Sequence, residues 1–341
     1  MKPLVAVAVS GGVDSLAAAA RLKSQGYPLF GIHFLTGFEP ENHDVAAATD
    51  RIGLPLHVID LSAAFRTRVI AYFSQTYLSG KTPNPCLVCN PAIKFGVLLD
   101  YARRLGAEYL ATGHYARIVC DDQRQPHLLR GLDRSKDQSY FLAFLTRDQL
   151  ARACFPLGEM TKTKVIEWAA SEGLQPVTAP DSQDACFVSR GRYTEFLTAQ
   201  ASAPAGGDIV DRDGRFLGRH AGLHHYTVGQ RRGIGCPATD PYYVLRLDVD
   251  NNRLVVGSKA DTFAATCRVS GINWIQSEPS GPMRVSTRIR YRHRAASSEM
   301  TPHPRHGATV TFDDPQSAVT PGQGAVFYTG DEVIGGGWIE G

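Results

Sequence analysis

The chain runs to 341 residues, 43% of them apolar and 20% charged, with a formal net charge of +3. That size predicts two or three domains with full hydrophobic cores, and the composition excludes a disordered or fibrous chain. So small a charge excludes reading nucleic-acid binding from net charge alone, and without a run of about 18 apolar residues no membrane span is predicted.

Residues 4–9 form a short β-branched run. A glycine turn follows, then a helical stretch with Val13, Leu16, Ala17 and Ala20 on one face and Gly26 as its stop. The apolar start is too short for a secretory signal and lacks a cleavage-like segment, so a cytoplasmic protein with reduced thiols is expected. Residues 29–34 read as a second strand, 44–51 as a helix, and 56–60 as a third strand before a longer helix through about Tyr77. After a proline-rich loop, 93–105 is helical and 109–112 is a strand. Strands alternating with helices predict an α/β domain with a doubly wound parallel sheet, which binds ligands at the carboxyl ends of its strands.

The character changes near Ala199, where residues 201–207 have linker composition. Beyond it, Asp211-Arg212-Asp213-Gly214 separates two short strands, and Asp250-Asn251-Asn252 separates 242–247 from 254–256. From about Cys267 onward, strands and Gly/Pro turns predict a small β-barrel or sandwich. The expected division is a catalytic α/β domain over 1–199, a β-rich central domain over 200–264 and a C-terminal β-barrel over 265–341.

Ser10-Gly11-Gly12-Val13-Asp14-Ser15 lies between the first strand and the first helix. Backbone N–H groups and a helix N-terminus at that position suit a phosphate, and the glycines let an anion approach the backbone. The loop lacks the Gly-Lys-Ser/Thr ending of a Walker A motif and the Gly-x-Gly-x-x-Gly of a dinucleotide loop.

Seven cysteines, an odd number at irregular spacing, are no disulfide framework. Thr82-Pro83-Asn84-Pro85-Cys86-Leu87-Val88-Cys89-Asn90 carries a Cys-x-x-Cys, and Asp181-Ser182-Gln183-Asp184-Ala185-Cys186-Phe187 follows about a hundred residues later. One thiol can carry sulfur as a persulfide, while a second releases the product by forming a disulfide. A Cys-x-x-Cys is also half of a structural zinc site, although no second ligand pair follows. Three cysteines around an open position would alternatively hold an iron–sulfur cluster. Cys120, Cys154, Cys236 and Cys267 stand alone and read as inert thiols.

In order along the chain stand Ser10 to Ser15, the Cys86–Cys89 motif with Ile93-Lys94-Phe95, Ala111-Thr112-Gly113-His114-Tyr115, Lys136-Asp137-Gln138-Ser139-Tyr140, the Cys186 motif, Tyr226-Thr227-Val228-Gly229-Gln230-Arg231-Arg232-Gly233 and Pro321-Gly322-Gln323. The loop resembles that of the PP-loop ATP pyrophosphatases, an adenine nucleotide alpha hydrolase-like fold. The whole series resembles their tRNA-specific 2-thiouridylase family, and the resemblance covers nearly the full chain.

That resemblance implies ATP-dependent adenylation of the C2 oxygen of a tRNA wobble uridine, with Mg²⁺ screening the phosphates, followed by sulfur transfer from a cysteine persulfide. It implies Cys186 as the persulfide carrier and Cys89 as its partner thiol. It implies ATP on Ala8, Val9, Ser10, Gly11, Gly12, Val13, Asp14 and Ser15, with Leu35 and Gly113 near the adenine and ribose. Asp14 would help organise the loop or magnesium. tRNA contacts carry over to Asn84, Pro85, Cys86, His114, Lys136, Asp137, Gln138, Arg290, Tyr291 and Gln323. A sulfur-relay protein or cysteine desulfurase is implied as donor. Many family members carry aspartate where this chain has Cys86, so a carboxylate base there is excluded. A [4Fe-4S] cluster on Cys86, Cys89 and Cys186 becomes the alternative to the persulfide route.

Five arginines occupy 284–294, with no acid between Glu278 and Glu299. At period two, Arg288, Arg290, Arg292 and Arg294 would line one strand face, a stripe suited to phosphates. A mobile loop around Cys186 is also expected.

Overall fold

The structure is a computed structural model and describes residues 1–39, 44–174, 176, 186–187, 206–237 and 239–340. Five strands, β1 (Val5–Ala8), β2 (Leu29–Leu35), β3 (Leu56–Asp60), β4 (Tyr109–Ala111) and β7 (Ala153–Cys154), form an all-parallel sheet in the order β3-β2-β1-β4-β7. β1 is central and buried over Val5, Ala6 and Val7, as a strand covered on both faces must be. α1 (Val13–Ser24) follows it, burying Ala17, Ala18 and Ala19. α2 (Val45–Arg51) is capped by Asp44, whose side chain accepts from Ala47 N.

The segment after β3 is one continuous helix, α3, over 62–78, and α4 runs continuously over 85–104. The sequence reading placed Cys86 and Cys89 in a loop; both lie in the opening turns of α4. Pro85 sits at its first helical position, where a missing N–H costs nothing. The middle of α4, Asn90–Leu98, is π-helical. Pro91 has no N–H to offer an α-helical bond, and the longer i→i+5 turn lets the helix continue past it. Neighbouring side chains take up backbone carbonyls in this stretch. Gln149 Nε2 donates to Pro91 O and Phe95 O, both at 2.9 Å, and Arg68 Nη1 donates to Ala92 O at 3.1 Å. Gln149 belongs to α5 (Arg147–Leu150), which opens with a capping box on Thr146.

Residues 116–130, not assigned from the sequence, form a hairpin of β5 (Ala116–Cys120) and β6 (Pro126–Arg130). α6 (Lys162–Ser171) then packs against α1. The central sheet is β10 (Tyr243–Asp248), β11 (Arg253–Gly257), β8 (Gly207–Val210) and β9 (Phe216–His220), in that spatial order. Its β8–β9 turn is at Asp211, as expected, where Asp211 Oδ1 accepts from the N–H of Asp213 and Arg215. Residues 201–205 of the expected linker and most of the Cys186 segment, with its expected mobility, lie outside the described residues, while Gly207 already opens β8.

The C-terminal strands are β12 (Phe263–Trp274), β13 (Met283–Arg288), β14 (Ala296–His303), β15 (Gly307–Ser317), β16 (Gly324–Thr329) and β17 (Glu332–Ile339). They run β12-β15-β14-β13-β16-β17, and β12 also pairs with β17. The sheet is therefore a closed six-stranded barrel around Val269, Val285, Met300, Val310 and Phe327, without open edges between its own strands. The β5–β6 hairpin pairs onto β17 through Leu129 and Glu332. Among the described residues no helix is long and apolar enough to cross a membrane.

The arginine stripe expected on one strand face does not form. β13 ends at Arg288, so Arg290, Arg292 and Arg294 lie in the turn leading to β14. Arg284, exposed, pairs with Asp313. Arg288 turns inward, donating to Asp137 Oδ2 at 3.0 Å, to His293 O at 3.1 Å and to Tyr291 O. The Asp137 side chain is 3% exposed and also accepts from the N–H groups of Gly131 and Ser139. This buried pair welds the barrel to the α/β domain. Asp137→Ala, which strands the Arg288 charge, is expected to cost about 3–5 kcal/mol in urea unfolding. Adding Arg288→Met should return most of that loss, and equal losses in the single and double variants would refute the weld.

Candidate functional site

The strand order puts β1 between β2 and β4, so the segments leaving their carboxyl ends meet. Ala8, Val9 and the 10–15 loop leave β1, Leu35 ends β2, and Gly113 follows β4. All the residues expected around ATP therefore share one sheet edge. Gly11 takes φ +76°, the left-handed region that glycine occupies freely. Gly12 caps α1 in extended conformation with no side-chain acceptor, which leaves the first N–H groups turned toward a ligand. Ser15 Oγ donates to Gly12 O at 2.9 Å and lies 3.2 Å from Ser10 N, which closes the loop on itself.

Asp14 is held from two sides. Lys162 Nζ donates to its two carboxylate oxygens at 2.9 and 2.8 Å, and Tyr115 Oη donates to Oδ1 at 2.7 Å. Its carboxylate is thus already neutralised and does not present an open magnesium ligand. Neither Lys162 nor Tyr115 carried a role in the sequence reading, since only folding brings α6 and β5's approach to this loop. Gly113 passes so close that a Cβ would sit 2.8 Å from the Asp14 carbonyl carbon and 2.9 Å from its oxygen.

The thiols stand at the same edge. Phe187 is buried, its ring 6.0 Å from Phe38, which lies just beyond β2, and 5.7 and 5.1 Å from Phe65 and Phe73 on α3. That aromatic anchor sets the adjacent Cys186 beside the start of α4. Cys86 and Cys186 are exposed and Cys89 is buried. Burial nevertheless pushes Cys86 up to about 11, Cys89 up to about 12 and Cys186 upward, with the Lys94 charge opposing it at each. Cys86 and Cys186 are thus within reach of an incoming sulfur although protein surrounds them closely. Among the described residues no three His, Cys, Asp or Glu side chains are arranged to hold a metal ion, these three cysteines included. As they stand, the three thiols do not form a ready-made site for an iron–sulfur cluster.

His114 is buried, 2.7 Å from Thr112 Oγ1 through Nδ1 and edge-on to Phe155. Desolvation, then the Lys94 charge, drives it well below the usual imidazole range, so it stands neutral. Asn84 lies in a clamp made by the barrel. Gln323 Nε2 donates to Thr82 O and Pro83 O at 3.1 Å each, and its Oε1 is 3.5 Å from Asn84 Nδ2. Pro85 and Cys86 follow directly, so the expected contacts Asn84, Pro85, Cys86 and Gln323 are one constellation.

A second group forms at the barrel weld. Gln138 is tied to Tyr115 through both side chain and backbone, and Lys136 is half-buried beside it. Tyr291 lies 4.3 Å from the Phe141 ring, and Arg290 reaches Ser317 O at 3.4 Å. The Asp137 side chain, between Lys136 and Gln138 in sequence, is buried and paired with Arg288.

The chain matches a family profile described as tRNA methyl transferase HUP domain over residues 3–190, with a PRC-barrel profile over 194–258 and an aminomethyltransferase β-barrel profile over 264–339. A tRNA-specific 2-thiouridylase MnmA from Desulfosudis oleivorans is 50% identical, the match covering 99% of this chain and 95% of that one. Proteins of the same name from Syntrophotalea carbinolica and Trichormus variabilis are 45% and 44% identical, each match covering 98% of both chains. A 4-thiouridine synthetase–RNA complex with bound ATP aligns at 17% identity and TM-score 0.32 over 58% of this chain and 50% of that one, too low to carry weight.

Two outcomes follow. Gly113→Ala should raise the ATP Kd at least about tenfold in calorimetric titration, since the new Cβ meets backbone; unchanged binding would remove Gly113 from the site. Alkylation of Cys89 in ATP- and tRNA-free protein should keep climbing with pH, without levelling below about pH 10, because the raised thiol is mostly protonated under neutral conditions. A plateau near neutrality would contradict the burial effect.

Proposed function

The chain belongs to the tRNA-specific 2-thiouridylase family, and from that premise we propose that it uses ATP and a cysteine persulfide to convert a tRNA wobble uridine to 2-thiouridine. The observation that carries this reading is the meeting of a phosphate loop and a thiol pair at one sheet edge. A methyl transferase, the word in the family profile's description, needs neither.

The uridine C2 oxygen attacks the α-phosphorus of ATP, forming an O–P bond and expelling pyrophosphate. The α1 N-terminus and the 10–15 loop bind the departing phosphates. Mg²⁺, if bound, would neutralise charge on the triphosphate and would be held mainly by ATP's own oxygens, since Lys162 already pairs with Asp14. The terminal sulfur of a Cys186 persulfide then attacks C2, and AMP leaves with the oxygen. A Cys89 thiolate attacks the Cys186 sulfur, forming a Cys89–Cys186 disulfide and leaving the transferred sulfur on the base. The two cysteines supply the electrons that reduce the sulfane sulfur, and a cellular dithiol resets them before the next persulfide is loaded.

An anticodon loop is already single-stranded, so withdrawing the base costs about a few kcal/mol or less. We assign the Asn84–Cys86 and Gln323 constellation to the target base, and Lys136, Gln138, Arg290 and Tyr291 to the surrounding tRNA. His114, neutral and buried, serves as an uncharged contact between them. A sulfur-relay protein or cysteine desulfurase would load Cys186, and the cytoplasm, where tRNA is matured, is the compartment.

Unmodified tRNA incubated with protein, ATP, Mg²⁺ and a persulfide source should yield 2-thiouridine in nucleoside mass spectrometry, with none from Cys89→Ser or Cys186→Ser. Persistence of the product in both variants would overturn the roles of the two cysteines. No product from folded, ATP-binding wild-type protein would overturn the reaction.

A further inference from the structure

Lys94 lies four residues into the π-helical stretch of α4 and carries no role in the reaction derived above. Its side chain is half-buried, and among the described residues its ammonium has neither a hydrogen bond nor an ion pair. A lysine whose stem is partly covered and whose ammonium is unpaired is placed to meet an anion that arrives later.

What surrounds this charge is a set of groups that are neutral at rest. Its field acts on Cys86 and Cys89 of its own helix, on Cys186 and on His114 beyond β4. The acid felt at this centre is Glu39, which acts on Cys186 and is itself bonded to Thr36. Helical phase explains the placement. In an α-helix a residue five places beyond Cys89 would point about 140° away from it. The π winding lengthens the turn by nearly a residue and swings Lys94 back toward the face bearing the thiols.

We propose that Lys94 is the positioning cation of the sulfur-transfer centre, pairing with the sulfur anions of Cys186 and Cys89 in succession while remaining an ammonium throughout. The proposal rests on the thiouridylase reading for the order of the steps, but the pairing itself does not. Persulfide attack and disulfide closure both bring an anionic sulfur into a site where protein mass disfavours charge. A fixed cation holds that anion in line and stabilises it without exchanging a proton. Lys94 makes no bond and loses none.

The test compares Lys94→Gln and Lys94→Arg in the full-length protein. Without ATP or tRNA, iodoacetamide modification of Cys89 and Cys186 at fixed pH, read by peptide mass spectrometry, should slow about tenfold in Lys94→Gln and recover to within about threefold in Lys94→Arg. Exposed Cys120 serves as the internal reference and should not change. With tRNA and ATP, single-turnover thiolation from preloaded persulfide should fall about tenfold or more in Lys94→Gln, while tRNA-dependent pyrophosphate release stays within about twofold. Unchanged modification of both cysteines would overturn the proposal, as would pyrophosphate release falling in step with thiolation, which would put Lys94 on substrate binding instead. If wild-type protein makes no 2-thiouridine, the thiouridylase reading fails, and the modification rates still decide whether Lys94 pairs with these sulfurs.

Discussion

The sulfur centre depends on α4 continuing through Pro91. A proline inside a helix removes a donor and crowds the preceding turn, usually at a cost of about 3 kcal/mol or a kink. Here the helix widens to π winding, while Gln149 and Arg68 take up carbonyls along the stretch. The same adjustment sets the rotational phase of Lys94 relative to Cys86 and Cys89, which precede the π stretch. Straightening α4 to regular α geometry would keep every residue and turn Lys94 away from the thiol-bearing face.

The barrel is part of the same frame. Gln323 grips the carbonyls immediately before α4, and the buried Arg288–Asp137 pair fixes the loop whose Gln138 holds Tyr115. Tyr115 in turn holds Asp14 in the phosphate loop. The 10–15 loop, the start of α4 and the barrel are thereby linked through short side-chain contacts.

Much of this was legible in the residues. Short apolar runs separated by amphipathic stretches foretold the parallel sheet, and the glycine-rich turn falls, as expected, between β1 and α1, because both are local patterns. The barrel's closure was not legible, since the β12–β17 pairing joins strands at opposite ends of the domain and leaves no local mark. The arginine stripe failed for a related reason. Period two over 288–294 fits a strand, but the chain turns after Arg288, whose charge is drawn inward by a carboxylate about 150 residues away in sequence. Lys94 stood in plain view in the Ile93-Lys94-Phe95 motif, yet its orientation depends on a helix winding that sequence periodicity does not report.

The hairpin that leaves the α/β domain to pair with β17 bears on how the chain is made. β6 ends at Arg130, and its partner strand starts at Glu332, with Arg117 reaching Asp331 at 3.0 Å across the same join. During synthesis the hairpin emerges and waits while roughly 200 further residues are added, about 10–40 s at ordinary elongation rates. Throughout that interval its outer edge is an unpaired strand on a nascent protein, open to the wrong partner. Arg130 on that edge and Arg117 on the neighbouring strand are charges of one sign, and like charges brought together disfavour pairing of two such edges.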